Sequence, residues 1–190
     1  MSDHDSPISV HGGGTLAKAI VSQGKDHWSL PDGAILASWT KRFAAFVIEV
    51  VIVNSILMVA TDEMVRNAWN LSLWISKEFH YAAAFTGIIL ASLWLYWRIT
   101  GLAFSRSLVQ KMLGIAIVME DGFPVTSEMW DLRSARKLLY LISIVGIYIG
   151  VYEVARISQR HTHQSNLDLR VGTIVALADS LPPASRSHIR

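Results

Sequence analysis

The 190-residue sequence contains no cysteine and few charged residues. The absence of cysteine excludes disulfide bonds, thiolate metal sites and thiol catalysis. Charged residues make up 17% of the chain and hydrophobic residues 52%, whereas soluble domains have about 25% and about 45–50%. The formal net charge is only +2, so charge alone gives no case for nucleic-acid binding. This composition is typical of an integral membrane protein.

The sequence also lacks the motifs of the common enzyme classes. It has no Ser/His/Asp set, no P-loop, no dinucleotide fingerprint and no zinc-binding helix motif. His161 and His163 have no third ligand at helical spacing, which favours a solvated polar turn over half a metal site. We therefore expect neither an enzyme nor a metal site.

Three apolar stretches are candidates for membrane spans: Phe43–Ala60, Tyr81–Trp97 and Leu138–Tyr152. The first would form about 27 Å of helix, close to the hydrocarbon thickness of about 30 Å. Six of the seven Trp residues lie near span ends or in loops, as an interfacial aromatic belt predicts: Trp39, Trp69, Trp74, Trp94, Trp97 and Trp130. We predict an all-α membrane protein with about three transmembrane helices. Whether the segment 138–156 crosses fully or re-enters stays open.

Polarity divides the chain into three parts. Residues 1–41 form a polar N-terminal tail, residues 42–156 the transmembrane domain, and residues 157–190 a polar C-terminal tail. On one side are the four Lys or Arg that precede the first span and the six of the long loop 98–137; on the other are two in the short loop and five after the third span. By the positive-inside rule, this bias favours a cytoplasmic N-terminus.

The long loop contains the clearest non-helical signal. Ile115–Val125 predicts a small β-hairpin, because the turn dipeptide Asp121-Gly122 separates two apolar runs. Val171–Leu177, near the C-terminus, is a further short strand candidate.

Three stretches resemble signatures of the RDD family of small bacterial membrane proteins. Trp39–Glu49 resembles the family's Trp-x-x-Arg-x-x-Ala-x-x-x-Asp pattern at the first span. Ser107–Gly122 resembles its Thr-x-Gly-Lys-x-x-x-Gly loop and hairpin, and Asp168–Val175 resembles its Asp-x-x-x-Gly-Thr-x-Val close. The resemblance covers about residues 37–177 and implies a multi-pass protein of the bacterial inner membrane.

The resemblance carries Arg42, Glu49 and Asp168 over as signature residues, and some family members are linked to cation/proton exchange. Four positions depart from the family pattern. Its first Asp is here Glu49, the Gly and Lys of its loop are Val109 and Gln110, and the His before its last Asp is Leu167. These departures argue against a retained transport function.

Glu49 is the sharpest candidate for chemistry, because an acidic side chain about 10 Å into a span is costly. Arg42 lies two helical turns earlier on the same face. In one interpretation Glu49 exchanges a proton or binds a cation with help from Asn54. In the other, which we favour, Glu49 fixes helix packing.

His80, at the entrance of the second span, is a weaker candidate. A histidine at a helix end can ligate a metal or the metal centre of a pigment. A hydrogen-bonded interfacial histidine is the more common situation, and we favour it.

Two functions fit these features. The first is a non-catalytic accessory subunit of a larger bacterial membrane complex, respiratory or photosynthetic, that contacts the lipid bilayer and other membrane subunits but no nucleic acid. The second is a cation/proton antiporter acting as an oligomer. The sequence identifies no cofactor, and lipid or pigment contacts stay open.

Overall fold

The computed structural model describes residues 31, 33–159 and 164–189. Most of the predicted tail 1–41, and the pair His161 and His163, lie outside these residues. The described chain is mostly helical. In chain order its helices and strands are α1 (Trp39–Ala60), α2 (Leu71–Trp74), α3 (Phe79–Phe104), α4 (Leu108–Met112), β1 (Ile115–Met119), α5 (Ser127–Leu138), α6 (Ser143–Gln159), α7 (Asn166–Val171), β2 (Thr173–Leu177) and α8 (Pro183–Arg186), with 3-10 turns at Met64–Trp69, Leu139–Leu141 and Ala178–Ser180.

Helices α1 and α3 are long and apolar enough to cross a membrane. Their 22 and 26 residues correspond to about 33 and 39 Å of helix, which exceeds a hydrocarbon core of about 30 Å. Helix α1 begins before the predicted span because the Ser38 side chain accepts a hydrogen bond from the backbone N–H of Lys41 and caps the first turn. The first two predicted spans are confirmed.

The two long helices pack around a small apolar core. Val53 of α1 meets Ile89, Leu93 and Trp97 of α3, and Val65 of the intervening 3-10 turn closes the cluster. Beside this core, Trp69, Leu71 and Ile75 stay exposed in the short connection. Apolar side chains exposed beside a span end are suited to the membrane interface.

A small antiparallel sheet forms, as predicted, but its second strand comes from far along the chain. The register of β1 with β2 runs from Ile115 opposite Leu177 to Met119 opposite Thr173. The turn at Asp121-Gly122 exists, with Gly122 at φ +84°, yet the chain after it does not pair as a strand. Pro124 there lacks a backbone donor, whereas β2 is buried on both faces, like β1.

The predicted third span is a bent pair of helices. The segment Ser127–Leu141 and the segment Val145–Gln159 meet at 117°. The bend falls at Ile142, whose backbone is extended (ψ 91°). The pair would count as a third crossing only if it were one broken span.

The backbone next to the sheet decides between a broken span and a re-entrant element. The Ala37 N–H donates to the Val175 carbonyl at 2.8 Å, and the Leu177 N–H donates to the Ile35 carbonyl at 2.8 Å. The start of α1 therefore lies beside β2. With one crossing each for α1 and α3, the two candidate spans, β1 returns to this side as well. The chain between β1 and β2 must then cross an even number of times, so we infer that α5 and α6 form a re-entrant element and not a single third span.

Cysteine labelling tests this arrangement, because the chain has no native cysteine. Lys41→Cys and Ser187→Cys are at exposed positions, and we expect an impermeant thiol reagent to label both from the same side of the membrane. Ser76→Cys, exposed in the connection between α1 and α3, should label from the other side and serves as the control. Labelling of Lys41→Cys and Ser187→Cys from opposite sides would restore a single third crossing.

Candidate functional site

Helix α5 places two cationic side chains on its buried face, where an ordinary amphipathic helix has apolar residues. Trp130, Arg133 and Ser134 are buried, and the Lys137 side chain is only 14% exposed. The helix lies close against α3 at Gly101, where an added Cβ would collide with the Trp130 ring. A buried cationic face needs anionic partners, and two carboxylates provide them.

The first carboxylate is Asp168, at the centre of a cluster that we call the Asp168 cluster (Arg42, Arg133, Asp168 and Thr173). The Arg42 Nη1 group donates to Asp168 Oδ2 at 2.7 Å, and the Arg133 Nη1 group donates to Asp168 Oδ1 at 2.6 Å. Arg133 also donates to the Thr173 hydroxyl. Asp168 is 1% exposed, so two arginines from different helices neutralise one fully buried acid.

Local structure orients Asp168 before the arginines reach it. Ser165 caps α7, and its side chain and that of Asp168 form a reciprocal capping box. The Ser165 N–H donates to Asp168 Oδ2 at 3.1 Å. Gly172 ends the helix at φ +65°, a left-handed conformation that glycine adopts without steric cost, and the chain turns directly into β2.

The arginines determine the electrostatics of Asp168. Burial by itself would raise the pKa of this carboxyl, but the charges of Arg133 and Arg42, with the hydrogen bonds from Arg133 and Ser165, outweigh burial and lower that pKa to about 2. Asp168 is therefore ionised at neutral pH and acts as a fixed counter-ion.

Arg42 extends the same cluster to the sheet. Its Nε group donates to the Ala37 carbonyl at 3.2 Å, and its Nη2 group donates to the Val175 carbonyl at 3.2 Å. One side chain thus joins the start of α1, the strand β2 and the cap of α7. The guanidinium fork has the donors for three such partners.

The second carboxylate is Glu49, which with Trp97, Ser107 and Lys137 forms the Glu49 cluster. The Trp97 indole N–H donates to Glu49 Oε2 at 2.5 Å, and the Ser107 hydroxyl donates to Glu49 Oε1. The Lys137 ammonium lies 3.9 Å from Oε2 and 4.8 Å from the centre of the Trp97 ring. Each oxygen of this 1% exposed residue has a donor from another element.

The structure separates residues that the sequence placed together. Arg42 and Glu49 share a face of α1 but bind different partners. Asn54, the suggested helper of Glu49, donates to the Val50 carbonyl of its own helix at 2.8 Å. His80 is exposed in the first turn of α3, against the rings of its chain neighbours Phe79 and Tyr81. In the part of the chain that the structure describes, no three His, Asp or Glu residues lie together as a metal site.

Four residues that hold the two carboxylates were not identified as site residues from the sequence: Trp97, Ser107, Arg133 and Lys137. A signal for two of them exists, since Arg133 follows Trp130 by three residues and Lys137 follows Arg133 by four, which places all three on one helix face. Trp97 carries no comparable signal, and Ser107 stands at the Thr of the family loop signature without any sign of its partner. The reason is that Glu49 is 48 and 58 positions away from them.

A cavity of about 530 Å³ lies beside the Asp168 cluster, between α1, α5 and α6. Its charged lining residues are Arg42, Arg133, Lys137, Glu153 and Asp168. Glu49 is not among the lining residues. The cavity and the Glu49 carboxylate are therefore separate features.

Replacement of Asp168 tests the weight of its cluster. Asp168→Asn leaves two buried arginines without a counter-ion, and we expect a loss of about 3–5 kcal/mol of stability at neutral pH. Because the folded-state pKa lies below the ordinary value of 3.8, the carboxylate stabilises the fold above about pH 4, and this contribution is lost as the pH falls from about 4 to about 2. Thermal unfolding in detergent across this pH range measures both effects.

The exposed Asp179 provides the matched control. Asp179→Asn should leave the melting temperature and its acid dependence close to those of the unchanged protein. An Asp168→Asn variant as stable as Asp179→Asn would show that the Asp168 cluster does not hold the fold together.

Comparison with known proteins agrees with the arrangement of these residues. The model of the RDD family matches residues 36–172, a span that begins beside the sheet, contains α1 and α3 and ends just after Asp168. No curated protein and no solved structure matches the chain. Since the family match covers well over half of the sequence, the chain belongs to the RDD family of membrane proteins.

Proposed function

We propose that this protein is a non-catalytic accessory subunit of a larger bacterial membrane complex, which it stabilises by presenting apolar helices to its neighbours. The observation that carries the proposal is that Glu49 and Asp168 have all their carboxylate oxygens hydrogen-bonded. Each buried acid accepts hydrogen bonds at both oxygens from donors on other elements. Buried charges that form all their hydrogen bonds within the protein stabilise its fold.

The same contacts argue against transport at Glu49. A proton or cation site needs access to water and a carboxylate that can exchange partners. Glu49 is buried against Trp97 and Ser107 and does not line the large cavity. The acid that the antiporter hypothesis depends on is therefore held as a packing group.

The outer surfaces of the long helices offer the docking area. In an apolar stretch of 18 residues of each helix, only 17% of the residues of α1 and 22% of those of α3 are buried inside the chain. Val51, Ile56 and Val59 of α1 and Ile99 and Leu102 of α3 are among the exposed apolar residues. Lipid tails or helices of other subunits can cover such faces, and we propose that both do.

The distribution of basic residues supports an orientation. With a re-entrant α5 and α6, only Arg66 and Lys77 of the 17 Lys and Arg residues belong to the segment on the far side, and the other fifteen belong to segments that begin or end on the side of the sheet. By the positive-inside rule, we propose that the sheet and both chain ends face the cytoplasm of a bacterial inner membrane.

Purification in mild detergent tests the accessory role. We expect the tagged protein, isolated from its native membrane at low detergent, to co-migrate with other membrane subunits in a particle much larger than its own 21.1 kDa. Harsher detergent should release it as a monomer, which provides the control. A stable homo-oligomer without other subunits would contradict the proposal and favour the antiporter.

Variants of Glu49 separate packing from transport. Glu49→Gln keeps the shape and one acceptor oxygen, so we expect a loss of only about 1–2 kcal/mol. Glu49→Leu leaves the Trp97 N–H, the Ser107 hydroxyl and the Lys137 charge without their partner, and it should cost about 3–5 kcal/mol. Thermal unfolding in detergent measures the difference.

Glu63 supplies the control, because its carboxylate forms an exposed pair with Arg66 at 3.0 Å. Glu63→Gln should change stability by less than about 1 kcal/mol. If Glu49→Gln assembled normally but abolished a cation-dependent proton flux present in vesicles of the unchanged protein, Glu49 would be a transport site and the accessory role would be wrong.

A further inference from the structure

The cavity of about 530 Å³ beside the Asp168 cluster has the size of a ligand pocket, since such pockets hold about 300–1,000 Å³. Its lining is mostly apolar and includes a few charged side chains. Arg133 and Lys137 contribute charge from α5, whereas Phe43 and Phe46 of α1 and residues of α6 contribute apolar surface. A ligand of this cavity therefore needs a polar end and an apolar body.

Two buried cationic groups of the lining have donors to spare. Arg133 is 4% exposed, and its Nε–H has no hydrogen-bond partner among the described residues. The Lys137 ammonium lies 3.9 Å from the Glu49 carboxylate, beyond hydrogen-bond distance, and donates no hydrogen bond within the described chain. These residues are four positions apart on one face of α5. Together they could donate to one acceptor-rich group.

The charge of the lining favours an anion. The residues that line the cavity carry three positive charges, on Arg42, Arg133 and Lys137, and two negative charges, on Asp168 and Glu153. Glu49, the ion-pair partner of Lys137, does not line the cavity, so the surface that a ligand meets has an excess of one positive charge. A phosphate group has the charge and the acceptor oxygens that such donors prefer.

The depth of the cavity favours a lipid. Arg42 lies in the first turn of α1, at the level where the helix enters the membrane, and Phe43 and Phe46 lie along the next turn inward. Ile147, Val151 and Val154 of α6 continue the apolar wall. We propose that the cavity binds one phospholipid with an anionic headgroup, whose phosphate accepts hydrogen bonds from Arg133 and Lys137 and whose acyl chain lies between α1 and α6.

Two glycines make a matched test. Gly150 lies in the middle of the stripe of α6 that lines the cavity, and an added Cβ would meet no atom within 4 Å. Leucine at this position would therefore occupy the space of the acyl chain without displacing the protein wall. Gly87 of α3 also has open space around an added Cβ, but it is exposed and lies outside the cavity.

Native mass spectrometry of protein extracted from nanodiscs of phosphatidylglycerol and phosphatidylcholine counts the retained lipid. We expect one retained phosphatidylglycerol on the unchanged protein and on Gly87→Leu, and about tenfold lower occupancy on Gly150→Leu. Gly150→Ala should lie between them and keeps the test valid if the leucine variant folds poorly. Equal retention by Gly150→Leu and Gly87→Leu would overturn the site.

The headgroup is tested separately with Lys137. Lys137→Gln should reduce the preference for phosphatidylglycerol over phosphatidylcholine about tenfold, and Lys137→Arg should restore it. Equal retention of the two lipids by the unchanged protein would overturn the anionic headgroup. Displacement of the retained lipid by inorganic phosphate alone would show an anion site in place of a lipid site and would also overturn the proposal.

Discussion

The structure depends on one buried carboxylate that pairs with two arginines. Asp168 receives Arg42 from the first long helix and Arg133 from α5, while its own helix cap holds it in place. Buried charges are costly unless they are paired and hydrogen-bonded. This requirement fixes α1, α5, α7 and β2 relative to one another. The strand pairing, and the return of the chain to the side where it started, are consistent with this single ionic junction.

Helix α5 connects the Asp168 cluster to the Glu49 cluster between α1 and α3. Arg133 binds Asp168 at the level of the sheet, and one turn further Lys137 approaches Glu49 and the Trp97 ring. Both acids therefore pair with the same face of α5, and this helix links α1 and α3 to the sheet. Because both acids have their hydrogen bonds inside the protein, they join its helices to one another, and the outer surfaces of the long helices remain apolar and exposed, as contact with a lipid bilayer requires.

The candidate site was predictable only in part. The resemblance to the family signature identifies Arg42, Glu49 and Asp168. The free-energy cost of placing an acidic side chain inside a span identifies Glu49 independently. Their partners do not follow. Arg42 and Asp168 are 126 positions apart, and no local pattern states which acid a given arginine reaches. The pairing of β1 with β2 was missed for the same reason, since the nearby turn at Asp121-Gly122 is the stronger local signal.

By itself the sequence determined that this is a helical membrane protein with at least two spans. The length of an apolar stretch and its lack of charged residues are local properties, and they decide whether a segment can insert into a bilayer. It also indicated β1, β2 and the turn at Asp121-Gly122, but its prediction of a strand directly after that turn was wrong. Only the tertiary structure decided that the third apolar stretch bends by 117° and that the Ile35–Ala37 backbone joins β2. Those outcomes depend on contacts between segments that are distant in the sequence. Such contacts contribute free energy only in the folded structure, where the buried charges are paired.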